Sequence, residues 1–182
     1  MALPDTYTMM NISGKYILNK ALSDSDASDT ILEQQGVGLL KRKVIDFAGA
    51  TISIKHYKDA EGVEHLEVEP QIPGDSAPRG QTHVLTWTER TIDHPLFGHI
   101  VAKTRRVKPQ ELDEEHLKKG WTADTVEAGV IESHVVGNKW TGIQTWGIQE
   151  IDGKRRHCRQ MTFTGPKGNT IHARLVYDYV SA

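Results

Sequence analysis

Cysteine is nearly absent: Cys158 stands alone, so neither an internal disulfide framework nor a multi-cysteine zinc site can be built. A lone thiol fits a reducing compartment, and the expected localisation is cytoplasmic. Long apolar runs are also missing, since no stretch approaches the roughly 20 residues that a membrane-crossing helix needs. No integral membrane association is therefore expected. The start, Met1-Ala-Leu-Pro-Asp-Thr-Tyr-Thr, has neither the basic residues nor the apolar core of a signal peptide. Charge of one sign is lacking too: 22 Lys and Arg against 24 Asp and Glu give a net charge of −2, which removes the usual basis for nucleic-acid binding. Gly-x-Gly-x-x-Gly, Walker and Gly-x-Ser-x-Gly motifs do not occur, so nucleotide-phosphate and serine-hydrolase chemistry have no support. The nine histidines are scattered without metal-ligand spacing, and no cofactor or metal is expected.

What is present is a chain of 182 residues, 37 % hydrophobic and 25 % charged, long enough for one core and read as a single domain over 1–182. One helix-turn-helix signal stands apart. Ser25 to Ser28 can cap a first helix that runs through Ile31 and Leu32 to Gly36, where glycine suits the left-handed position after a helix. A second helix places Val37, Leu40, Val44, Phe47 and Ala48 on one apolar face, with Lys41, Arg42 and Lys43 largely elsewhere, and ends at Gly49. The pair reads as a lid over a core.

Almost everything else alternates with the period of a strand. Residues 1–12 read as a loosely attached arm before a first strand at Gly14 to Asn19. Thr51 to Tyr57 and His65 to Glu69 form a hairpin; Pro70 to Gly80 is a breaker segment; Gln81 to Thr88 resumes the pattern; Asp93-His-Pro95 turns; and Phe97 to Arg106 is the next strand. A charged insertion over 108–128 carries a short helix ending at Gly120. Val130 to Val136, Trp140 to Gln149, Arg155 to Phe163 and Thr170 to Tyr179 then make a meander of hairpins with tight turns at Gly137-Asn138, Asp152-Gly153 and Gly165 to Gly168. The fold expected is mainly β: an up-and-down antiparallel barrel of nine or ten strands with the helical lid after the first strand.

Gly14-Lys-Tyr16, Gly36-Val-Gly-Leu-Leu-Lys-Arg-Lys-Val44 and Arg174-Leu-Val-Tyr-Asp178 resemble, in turn, the first-strand start, second-helix signature and closing strand of the intracellular fatty-acid-binding-protein group of the calycins, a resemblance that implies a calycin- or lipocalin-like barrel. The resemblance implies a carrier whose last-strand arginine and tyrosine grip a ligand carboxylate, a role that would fall to Arg174 and Tyr177. Those residues are three apart, however, and on a regular strand they face opposite sides unless a bulge intervenes.

A barrel of this size can enclose a small hydrophobic, acidic or oxygenated ligand. Its expected contacts are Tyr177, Arg174, Gln144, Trp146, Trp87 and Arg159. An alternative uses the same cavity for catalysis by a cyclase or isomerase of a lipophilic metabolite, with Glu132, His134 and His157 moving protons if their strand faces point inward. A third reading makes Glu111 to Lys119 a protein-docking surface. No motif specifies an oligomeric state.

Overall fold

A computed structural model describes residues 1–48, 51–71 and 80–182. Ten strands form one antiparallel sheet: β1 Gly14–Leu18, β2 Thr51–Lys58, β3 Glu64–Gln71, β4 Gln81–Val84, β5 Arg90–His94, β6 Gly98–Val107, β7 Val130–Gly137, β8 Trp140–Ile151, β9 Lys154–Thr164 and β10 Thr170–Ser181. Consecutive strands are neighbours except β4 and β5, which end the sheet order because β1 lies against β10. The result is a calycin-like up-and-down barrel with an open seam. Across that seam the Trp87 N–H donates to the Thr104 carbonyl of β6 at 2.9 Å.

The predicted 81–88 strand thus ends early, at Val84. It breaks because Trp87 adopts a left-handed backbone, φ 59°, which a pleated strand cannot accommodate. The chain then re-enters the sheet as β5, the tenth strand, where sequence had suggested only a turn. Residues 72–79 of the breaker segment, and Gly49 at the end of the second helix, lie outside the described residues.

Helix α1, Ser25–Gln34, and helix α2, Leu39–Ala48, follow β1, with Gly36 left-handed at φ 87° between them. Helix α1 buries Ile31 against the sheet. Helix α2 departs from the amphipathic expectation: Val37 before it is buried, but Leu40 is 80 % exposed and Val44 sits outside as well. Arg42 is the side chain that turns inward. Its guanidinium donates to Asp29 at 2.6 Å and Glu33 at 3.2 Å, so α2 is tied to α1 by charge rather than by an apolar stripe.

Nor is the N-terminal arm loose. Leu3, Met9 and Ile12 are buried in the main core beside Tyr16, Leu66 and Ile148, and Arg106 binds both the Met9 carbonyl at 2.8 Å and Glu64 of β3. The arm fills one end of the barrel. The 108–128 insertion forms α3, Glu115–Lys118, and α4, Ala123–Ala128, whose charges face water while Leu112, Leu117 and Trp121 pack on the outside of the barrel against Val130, Cys158 and Val176. Gly147 of β8 makes room for them: a Cβ there would come within 2.6 Å of the Trp121 ring. Among the described residues no helix is long and apolar enough to cross a membrane.

Candidate active site

The alternation of β6 to β10 sorts every side chain in this region. In ladder register Thr104, Ser133, Gln144, Met161 and Ala173 lie side by side, as do Arg105, Glu132, Thr145, Gln160 and Arg174. The first row faces into the barrel, and the second faces the helical insertion and solvent. Inside lies a cavity of about 300 Å³, at the lower end of the range for small-molecule sites. Its mouth is bordered by Ser28, Ile31, Leu32 and Gln35 of α1, in agreement with the expected lid, and by Leu96 and Phe97 of the β5–β6 turn. Ile52, Val68, Ile100, Ala102, Trp140, Phe163 and Leu175 give the wall its apolar character.

Polar side chains interrupt that wall, among them Gln144, the Trp146 indole, His83, His94 and Arg159. The Arg159 guanidinium stacks on the Trp146 ring at 3.9 Å and stands 5.2 Å from the Tyr177 ring. Its Nε and Nη2 have no hydrogen-bond partner, and the Trp146 Nε1 has none either. Among the described residues lining the cavity there is no carboxylate. Burial accordingly pushes the Arg159 guanidinium below its ordinary value, with Tyr177 acting the other way. Beneath it, His157 is 1 % exposed, packs among Tyr16, Trp146 and Tyr177, and leaves both ring nitrogens unpaired. Burial first, and then the charge of Arg159, hold His157 well below its usual range, so the ring is neutral.

The expected contacts divide between the two faces. Gln144, Trp146 and Arg159 line the cavity, and Tyr177 and His157 belong to the same inner layer. Arg174 does not: β10 runs without a bulge along β9 from Thr170 to Tyr177, so its side chain points outward while its backbone N–H donates to Asp24 at 2.8 Å. The inherited Arg174–Tyr177 clamp is therefore absent. Trp87 is also outside. Its left-handed backbone turns the ring away from the barrel and onto Lys103 at 4.6 Å and Arg105 at 4.2 Å.

Glu132 and His134 share that outer face. They bond to each other at 2.7 Å, and the Arg105 Nε donates to Glu132 at 2.6 Å. Burial opposes the charge of Glu132, but the hydrogen bonds from His134 and Arg105 outweigh it and keep the carboxyl below its normal pKa. This is a structural ion network beside Trp87, which His134 meets edge-on at 4.8 Å. It cannot reach a molecule in the cavity. Sequence reasoning missed His83, whose only signal was its place two residues after Gln81 in an alternating strand.

Two known proteins align with nearly the whole chain. "Probable pericyclase scpY" of Mollisia scopiformis is 30 % identical over 185 residues, spanning 98 % of this chain and 95 % of that protein. The chain belongs to the family of this pericyclase. "Pericyclase pydY" of Acremonium sp is likewise 30 % identical over 194 residues, covering 99 % of this chain and 97 % of its own length. No family model and no solved structure matches the chain. The pericyclase relatives favour the cyclase alternative over the carrier reading that the closing-strand resemblance had put first.

Proposed function

We propose that the protein is a pericyclase, closing a ring in a small, largely apolar, unsaturated substrate held inside the barrel. A pericyclic closure moves electrons around a loop of atoms in one step, so it calls for a folded substrate conformer and a polarised acceptor group rather than for a nucleophile. Both requirements fit this cavity. An apolar wall of fixed shape holds the reacting carbons close together, which removes much of the entropic barrier. A preorganised donor in a site poor in water stabilises the charge that builds on a conjugated carbonyl oxygen.

The observation that carries this reading is Arg159, whose Nε and Nη2 are unpaired in an apolar chamber with no carboxylate among its described lining residues. With its flat face held on Trp146, its N–H groups are fixed in direction before the substrate arrives. The Gln144 amide, one residue pair away on the adjacent strand, supplies a second adjustable contact. No proton need be exchanged, which agrees with Glu132 and His134 lying on the opposite face.

A pericyclic product has the mass of its substrate. Extracts of the source strain lacking this protein, incubated with the purified chain, should show one compound converted to an isobaric product with less conjugated absorbance. Gly142→Phe should abolish that conversion, because Gly142 opens on the cavity and a Cβ placed there would meet only the Trp140 ring, at 3.9 Å. Recovery of an unchanged molecule in a stoichiometric complex, with no isobaric conversion, would restore the carrier reading.

A further inference from the structure

Ring closure by Arg159 and Gln144 makes no use of His83, a cavity histidine held by a hydroxyl of the barrel seam. The seam between β4 and β6 is riveted at Thr104, which is 4 % exposed. From outside, the Trp87 N–H reaches its carbonyl. From inside, the His83 Nδ1 lies 3.4 Å from its hydroxyl oxygen. That hydroxyl has a single proton and is placed to donate it to the Ser133 Oγ at 3.2 Å. With that donation the oxygen accepts toward His83, and the imidazole carries its proton on Nδ1.

A neutral ring with its proton on Nδ1 has a bare lone pair on Nε2. The ring is neutral: burial above all, with Arg159 and His94 nearby, pushes it down to about 4. It lines the cavity and stands edge-on to Trp146, with ring centroids 5.2 Å apart. Arg159 stacks on the same indole. The chamber thus offers a donor that cannot accept, Arg159, and an acceptor that cannot donate, His83, both against one tryptophan.

The geometry points to His83 as the residue that selects a substrate bearing a hydrogen-bond donor beside its carbonyl, the N–H of an amide or the O–H of an enol, which it binds through Nε2. Thr104 and Ser133 are positioning residues that act through it by holding the tautomer. This rests on the cavity being the substrate site of the proposed pericyclase, but it is read without turnover.

Two measurements test it. In 15N-labelled protein, long-range 15N–1H correlation should show the His83 Nδ1 protonated and the Nε2 bare, and protonated Nε2 would overturn the assignment. In calorimetric titrations with decanamide and N,N-dimethyldecanamide, the wild-type chain should prefer the donor-bearing amide by about threefold to tenfold, the worth of one net hydrogen bond. His83→Gln, which keeps an acceptor, should retain that preference, His83→Phe should lose it, and Thr104→Val should reduce it by freeing the second tautomer. A wild-type chain without the preference, or a preference intact in His83→Phe, would sink the role of His83. Loss of isobaric conversion from the source extract with the amide preference intact would instead count against the pericyclase reading alone.

Discussion

Replacing Arg159 with methionine should make the protein more stable and less active. Among the described residues lining the cavity no carboxylate stands by as counter-ion to the guanidinium, and its Nε and Nη2 are unpaired. Two buried donors left unsatisfied cost about 1–3 kcal/mol each. Stacking on Trp146 and proximity to Tyr177 offset part of that, by about 0.5–2 kcal/mol. Methionine fills the space with a flexible apolar chain and leaves nothing unpaired, so the balance favours Arg159→Met by about 1–3 kcal/mol. In a chain of this length that corresponds to roughly 2–4 °C of melting temperature per kcal/mol. Loss of an oriented donor should slow the ring closure by about 10²–10³. Urea unfolding gives the first quantity, and initial rates of isobaric conversion give the second. Arg159→Lys, which keeps the charge but not the planar stack, should recover only part of the rate. A methionine variant that is destabilised while converting substrate at the wild-type rate would refute the reasoning, because it would make Arg159 a structural group.

The outer ion network should behave oppositely. Glu132→Gln should cost about 1–3 kcal/mol, since Arg105 and His134 lose their shared partner, while conversion rates at a permissive temperature stay unchanged. In the arm-side network, burial works against ionised Glu64, but hydrogen bonds from His56 and Arg106 win and hold its carboxyl at about 2. This folded-state value lies below the usual 4.5, so the stabilisation is complete above pH 4.5 and is lost as pH falls through about 2, on the order of 3 kcal/mol; Glu64→Gln should flatten that limb in acid titrations followed by circular dichroism. Gly147→Ala should cost about 1–3 kcal/mol by pushing Trp121 and the insertion off the barrel wall, readable as a lower urea midpoint and a shifted tryptophan emission.

The barrel was legible because alternation is a direct image of the pleat: β1, β2, β3 and the last four strands fall within a few residues of where period-two patterning puts them. Trp87 shows what alternation cannot carry. One left-handed residue inverts the face of a single side chain and ends a strand, and no composition signal announces it. The site suffered from the same parity problem. Pairs two apart could be assigned to a shared face, as with Gln144 and Trp146 or His157 and Arg159, but which face was inward depended on where the 108–128 insertion packed. Because that insertion covers the outer side of β7 to β9, Glu132 is buried, and His134 half-buried, without being internal. Burial of a polar pair and membership of a cavity are separate properties, and only the three-dimensional register distinguishes them.

The pairing of β1 with β10 also governs how the molecule can assemble. Tyr16 meets Tyr179 and Leu18 meets Tyr177, contacts that must wait for almost the entire chain to be present. The strands β1 to β4 and β5 to β10 can each zip locally through hairpins, but joining the two runs requires closing a loop nearly as long as the protein, a topology associated with folding in milliseconds to seconds. Until that ladder forms, both runs carry unpaired strand edges, and the interval before closure is when the chain is most exposed to aggregation.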